Sequence, residues 1–425
     1  MASTGPRRKI FYGWIVLAGA MLIYFGTTGP AWYSYGPFLP TMITKFAGYS
    51  RSVLSAPYTL YLALIGLAGP LVGITITKLG IRKTIIIGIV LASLGLIGMA
   101  FTKYVWQLYL FYGIIIGIGH SFESGLPNTT LVNNWFSRKR ALAMGIYLAS
   151  GGAAGLIFTP LITQLIPSLG WLLSWVCLAG TLLVFTIAGL MLVRDKPEDM
   201  GLVPDGEIAS IAQETSPRAT ARKRVYQTPV EWKVGDALRT SALWLIIAFE
   251  VISQLTRMLL QVHHVAYIQE IGFSVELAAA TLSLQIGISI VGRLVVGFLG
   301  TRFEMRHLAA ACLAGFIVGM LILMNAHSVP LIYLYTLLVG LSWGGLMVVR
   351  PTVMGAYYGR RSYPMITGYI APLSSVISAV GPLFAGFVYD KTGSYMVAFI
   401  ISAVLLGIGF VFALLARPPK PPITP

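Results

Sequence analysis

Twelve apolar runs, each close to or above the roughly 20 residues that a helix needs to cross a bilayer, constrain this chain more than any other feature. They fall at about 11–39, 52–77, 84–102, 105–134, 140–167, 171–193, 241–270, 276–300, 306–325, 329–357, 363–389 and 394–416, separated by short polar turns and one long polar stretch after the sixth. Hydrocarbon offers no water to an open strand or loop, so runs of this length must satisfy their backbone internally and form helices. The expected fold class is an all-α membrane protein with twelve transmembrane helices. A chain of 425 residues with 56% hydrophobic and only 10% charged side chains excludes a soluble domain.

The net charge of +16 invites a nucleic-acid reading, which the positions of the bases refute. Arg7, Arg8, Lys9, Lys78, Arg82, Lys83, Arg138, Lys139, Arg140, Arg302, Arg306, Arg360, Arg361, Arg417, Lys420 and the bases of the central stretch all fall on one side of the helices; Lys45, Arg51, Lys103 and Lys391 fall on the other. That asymmetry is the positive-inside pattern, which places both termini in the cytoplasm and makes the lipid bilayer, not nucleic acid, the partner of the charge. The first apolar run is too long for a signal peptide and lacks a cleavage site, so it reads as a retained helix. Cys177 and Cys312 lie far apart in apolar segments and suggest neither disulfide nor metal; no cofactor is expected.

The chain repeats itself. Gly73, Thr77, Lys78 and Arg82 after the second segment recur as Gly297, Thr301, Arg302 and Arg306 after the eighth, 224 positions on. WFSRKR at 135–140 is echoed by YYGRR at 357–361, and Pro160 by Pro382. Two pseudo-symmetric six-helix halves, 1–193 and 241–425, joined by a cytoplasmic linker at 194–240, is a transporter plan in which substrate sits at mid-membrane between the halves. The linker carries Pro197, Pro204, Pro217, Pro229 and the basic run ARKR ending at Arg224. Its end, VEWKVGDALRT, is either a short amphipathic helix on the anionic leaflet, with Trp232, Lys233 and Arg239 at the interface, or a plain connector.

Polar residues inside the apolar segments carry the functional information, because each is costly in lipid. Arg293 stands alone in LAAATLSLQIGISIVGRLVVGFLGTR, the eighth segment. In the seventh, Glu250, Gln254, Arg257, Gln261 and His264 follow at steps of 4, 3, 4 and 3, one stripe of a 3.6-residue helix that lines water or pairs with a neighbour. The fourth carries His120 and Glu123 on one face, with Asn128, Asn133 and Asn134 beyond. Glu123 either holds a proton exchanged during transport or serves as a fixed counter-ion to an arginine of the other half. Arg350 in the tenth segment either meets substrate or snorkels toward the gate. The first segment breaks at Thr27-Thr28-Gly29-Pro30, where proline frees a carbonyl; Tyr24, Trp32, Tyr33 and Tyr35 around it, Tyr58 and Tyr61 in the second segment, and Tyr369 near Pro372 line the site or simply pack.

The loop pattern after the second and eighth segments resembles the major facilitator superfamily along essentially the whole chain. Tyr12-Gly13-Trp14 and WFSRKRALAMGIYLASGGAAG are similar to signatures of the monocarboxylate transporters, and RDKPEDMGLVPDG and GPLFAGFVYDKTGSY to those of the oxalate/formate antiporter group. The resemblance implies that Arg293 binds a substrate carboxylate. It also exposes departures: Thr77 and Thr301 stand where many relatives have aspartate, Ser289 stands four residues before Arg293 where animal-type members have an aspartate, and no lysine occurs between Lys9 and Lys45 or between Arg361 and Lys391.

The expected function is secondary active transport of small organic anions, monocarboxylates first, by alternating access, with a co-transported proton or a counter-anion. A dicarboxylate or anion-exchange carrier is the second reading, and a non-transporting ligand sensor is the reading from another class. An enzyme is not expected, since no nucleophile elbow, metal spacing or phosphate loop occurs. Expected substrate contacts are Arg293, Arg257, Arg350, Gln261, His264, Tyr369 and Asn128. Proton-coupling candidates are Glu123, Glu250 and His120. Lys78, Arg82, Arg138, Arg140, Arg302 and Arg306 are expected at the cytoplasmic gate.

Overall fold

The computed structural model describes residues 11–205 and 226–421, so the ARKR run and the bases at 7–9 lie outside the described residues. Ten helices are long and apolar enough to cross a membrane, and a further span is a pair, Arg51–Leu67 with Gly69–Leu79, bent by 47°. One of the ten, Arg140–Leu192, has 53 residues. At about 1.5 Å per residue it is more than twice the thickness of a bilayer's hydrocarbon, and it is interrupted at Gly170 by a non-helical backbone with φ of 72°. It therefore holds two spans, and the total is the expected twelve.

In chain order these are α1 (Gly13–Lys45), α2 (Arg51–Leu67 and Gly69–Leu79), α3 (Ile81–Ala100), α4 (Val105–Trp135), α5 (140–169), α6 (171–192), α7 (Ser241–Glu270), α8 (Val275–Leu299), α9 (Met305–Met324), α10 (Val329–Tyr358), α11 (Tyr363–Thr392) and α12 (Met396–Leu415). Two spans are irregular where the sequence breaks pattern. In α1 the backbone widens into a π-helical turn at Thr28–Trp32 around Pro30. In α4 a π-helical stretch at Tyr109–Ile116 is followed by a break at Ser124, with φ −106° and ψ −105°.

The repeat appears in three dimensions as matched hydrogen bonds. Arg82 donates to the Leu190 carbonyl at the end of α6 and Arg306 to that of Leu414 at the end of α12, each at 3.3 Å; both donors and acceptors are 224 positions apart. Trp135 Nε1 donates to Arg194 O and the Tyr357 hydroxyl to Ala416 O, both 222 apart. The arginines of the repeated loop thus satisfy free carbonyls at helix C-termini, where a cation is favoured by the dipole.

The halves meet through glycine-lined crossings, which allow backbones to approach closely in a membrane. A Cβ on Gly145 of α5 would press on the backbone of Arg293 and Gly297 of α8, and one on Gly69 or Gly73 of α2 would meet Gly368 or Pro364 of α11. Within the second half, Gly292 lies against the Leu341 carbonyl and Gly344 against that of Ser289, so α8 and α10 touch backbone to backbone beside Arg293.

Hydrogen bonds that tie the halves to each other and to the linker gather on one face. Tyr363 donates to Thr129 at 3.0 Å, Asn133 to Pro351 O at 3.4 Å, Gln227 to Ser137 O at 2.8 Å and Arg360 to Asn134 O at 3.3 Å, and Arg360 also pairs with Glu198. Thr77 and Thr301 supply no carboxylate to these loops, and two acids of the linker bind backbone amides nearby. Asp195 caps α3, accepting from the amides of Ile81 and Arg82 at 2.8 and 3.1 Å. Asp205 accepts from the amides of Ser137 and Lys139 at 2.6 and 3.0 Å; burial pushes its carboxyl up against those hydrogen bonds.

The linker end corrects one expectation. Val234–Leu238 is a short helix, but Trp232 is 3% exposed and packs edge-on against Tyr358 at 5.4 Å, so it is a core residue and not an interfacial anchor.

Replacing Gly344 with Val is expected to wedge α8 from α10 and cost about 1–3 kcal/mol, the usual size of an overpacking penalty. Thermal unfolding in detergent checks this, with Gly180→Ala, whose Cβ would meet nothing within 4 Å, left at the wild-type temperature.

Candidate functional site

Two polar stripes zip together to make the site. On α8, Thr281, Gln285, Ser289 and Arg293 recur every four residues and all are buried, as are Glu250, Arg257 and His264 on α7. Across the pair, His264 Nε2 lies 3.1 Å from Thr281 Oγ1, and Arg257 Nη1 donates to Gln285 Oε1 at 3.0 Å. The Arg257 guanidinium also lies 5.6 Å from the ring centre of Trp343 on α10, a cation–π arrangement. Gln285, Ser289 and Trp343 were not among the expected residues. The period of four ending in Arg293 was the signal for the first two.

Arg293 reaches across the interface between halves. Its Nη1 donates to the Leu148 carbonyl of α5 at 2.6 Å and its Nη2 to Ser289 Oγ at 3.4 Å, while Nε has no partner. Gly152 of α5 makes room for it, because a Cβ there would come within 2.9 Å of Nη1. The same glycine row carries the aromatic side chains of α1: Gly151 lies against the Tyr24 ring and Gly155 against that of Tyr33. Tyr24 is within electrostatic range of Arg293, and Tyr33 of both Arg293 and Arg257. Tyr24, before the break in α1, and Tyr33, just after it, thus both come near the arginines.

The two guanidiniums are 5% exposed each and lie within electrostatic range of one another. Among the described residues, neither forms an ion pair. Arg350 differs: its Nη1 meets Glu250 Oε1 at 2.5 Å. Glu250 lies two turns from Arg257 on its own helix and pairs with Arg350 of α10 instead.

The remaining expected residues are placed elsewhere. His264 is enclosed, with Tyr335 at 3.0 Å from Nδ1 and Ala278 O and Thr281 around Nε2. Asn128 spends both amide protons on the carbonyls of Glu123 and Ser124, at 2.8 and 2.7 Å, stapling the break in α4. Gln261 is exposed and Tyr369 is 47% exposed, and neither contacts the arginine pair. Among the described residues no arginine pairs with Glu123: it is fully buried, His120 Nδ1 lies 3.6 Å away, and both its oxygens lack hydrogen bonds. At the linker face, Arg140 Nε donates to Phe136 O at 3.1 Å, Arg302 lies over Phe298, and Lys78 and Arg138 are exposed.

A twelve-span bundle of two matched halves, with ionisable residues held between them, defines a membrane transporter. The chain belongs to the Major Facilitator Superfamily, whose profile matches residues 16–303 and again 251–425. It is 25% identical to mouse monocarboxylate transporter 12 over 417 residues, covering 93% of this chain and 85% of that one. It is likewise 25% identical to chicken monocarboxylate transporter 4 over 426 residues, covering 96% and 85%. Its fold matches the proton:xylose symporter XylE bound to 6-bromo-6-deoxy-D-glucose, with a TM-score of 0.74 at 14% identity over 95% of this chain and 94% of that one.

Breaking the buried pair from either side strands a charge, so Glu250→Gln and Arg350→Met should each destabilise by a few kcal/mol, about 3–5 at the fully buried limit and less here because Arg350 is partly exposed. The double variant should recover part of that loss, as a thermal-stability double-mutant cycle would read. Additive losses would mean that the two side chains do not interact.

Proposed function

We propose that this protein is a secondary active carrier of small organic anions, monocarboxylates first, in a cell membrane with both termini and the linker in the cytoplasm. One observation carries the reading: two buried guanidiniums lie near each other between the halves, and among the described residues no carboxylate neutralises them. Desolvated charge of this kind is tolerable only with a partner, and a mobile anion is the partner left. A guanidinium offers a carboxylate two parallel hydrogen bonds in a fixed fork. The unpartnered Nε of Arg293 and Nε2 of Gln285 are further donors beside it.

Alternating access follows from where Arg293 is tied. Its bond to the Leu148 carbonyl crosses from one half to the other. A carboxylate that takes Nη1 for itself competes with that bond, so binding and the contact between halves are energetically linked. Tyr24 and Tyr33 supply hydroxyl and ring surface from the opposite half, and the glycine row of α5 lets them and Arg293 approach.

A dicarboxylate or anion-exchange carrier is the second reading, favoured by the count of charges: two uncompensated guanidiniums balance two carboxylates. Counterflow in proteoliposomes with a panel of mono- and dicarboxylates separates the two. Arg293→Ala and Arg293→Lys should each lose at least about tenfold in carboxylate counterflow, because a charge-assisted bond is worth about 1.5–3 kcal/mol and lysine keeps the charge without the fork. Normal transport in both variants would remove Arg293 from the site. Absence of exchange of any small anion by the wild type would remove the carrier reading itself.

A further inference from the structure

The first half holds a second buried ionisable group that the arginine site does not use. Glu123 ends the segment Gly117–Glu123 of α4, just before the break at Ser124, and its side chain is 0% exposed. Neither carboxyl oxygen has a hydrogen-bond partner, and beside them His120 Nδ1 and the Tyr61 hydroxyl are also buried without partners. Buried polar atoms are nearly always satisfied, so a cluster of four orphans in one place marks a site for something small and protic.

The surroundings decide what that is. His120 on the same helix is 3.6 Å from the carboxyl, and Tyr61 of α2 is within electrostatic range. From α3 the carboxyl's neighbours are Gly88, whose Cβ would meet the Glu123 backbone and Cβ, and from α1 Trp32 stands 6.3 Å from the His120 ring. No lysine or arginine pairs with Glu123 among the described residues. An ionised carboxylate without cation or donor is far more costly to bury than a neutral acid. A metal ion is not favoured, since no group of three His, Cys, Asp or Glu side chains gathers among the described residues.

We infer that Glu123 and His120 form a proton-binding site in the first half, separate from the arginine pair. The carboxyl O–H bond is the one broken and remade: the proton leaves Glu123 for the His120 ring nitrogen facing it or for a water beside Tyr61, and returns by the same route. Its lever on the protein is the broken α4. Asn128 holds the Glu123 and Ser124 carbonyls across that break, so ionising the side chain places a charge at the most alterable point of the helix. The route from Glu123 toward the substrate runs past His120, Trp32 and the π-helical turn of α1, the turn that positions Tyr33 near both arginines. Glu250, by contrast, is held by Arg350.

This inference rests on the carrier reading, and the test separates the two. Wild-type proteoliposomes holding no internal substrate should take up protons with an external carboxylate and accumulate it under an imposed pH gradient, inside alkaline. Glu123→Gln, which mimics the neutral acid, should lose gradient-driven accumulation and substrate-linked pH change while exchange falls less. In purified wild type, infrared difference spectra on adding the transported carboxylate should show a carboxylic-acid C=O band that shifts in Glu123→Asp. Net carboxylate uptake by wild type with no proton movement, gradient-driven accumulation by Glu123→Gln at the wild-type level, or a wild-type spectrum without an acid band would each overturn the inference. The wild-type spectrum can overturn the inference even where a variant fails to fold, and absence of any exchange by wild type would indict the carrier reading instead.

Discussion

Placing a guanidinium within a membrane span is expensive, and α7, α8 and α10 each hold one, with two different solutions. Arg350 is answered from within by Glu250. Arg257 and Arg293 are answered by dipoles alone: the carbonyls of Leu148 and Gln285, the Ser289 hydroxyl and the face of Trp343. Dipoles orient a charge without cancelling it, so the pair keeps an electrostatic demand that the surrounding helices are shaped to leave open. The glycine row on α5, the break in α1 and the backbone contact of α8 with α10 all exist around that demand, since each lets a polar group reach the pair or holds the pair in place.

The halves are joined on one side and not equivalently on the other. Linker acids cap α3 and the loop before α5, Arg360 ties the second half to Glu198 and Asn134, and Arg293 itself makes the innermost bond of the set. A set of individually modest bonds of this kind, each net about 1 kcal/mol, can be exchanged for an equivalent set without a large barrier.

Much of this was legible in the sequence because the bilayer makes the code simple. Apolar run length gave twelve spans, and the two runs ending at 167 and starting at 171 flank the Gly170 break inside the 53-residue helix. The repeats at offsets of 224 and 222 became hydrogen bonds with those same offsets. What was not legible concerns partners across helices. Nothing local distinguishes Arg350, which is paired, from Arg257, which is not; the difference lies 100 residues away in Glu250. Trp232 suited an interface by type, yet its indole was needed under Tyr358. Asn128 was polar enough for a ligand, but the helix break beside it had two carbonyls to satisfy first. The stripe of Thr281, Gln285 and Ser289 leading to Arg293 could have been found by the same periodicity that exposed α7, and small hydroxyls hid it.

The central claim is that a substrate carboxylate sits on the arginine pair between the halves. The direct measurement is an experimental structure with a transported carboxylate bound. The account predicts the carboxylate within hydrogen-bond distance of Arg293, near Arg257 and Tyr33, with the bond from Arg293 to the Leu148 carbonyl broken or lengthened. A carboxylate bound elsewhere, with Arg293 still on Leu148, would contradict it.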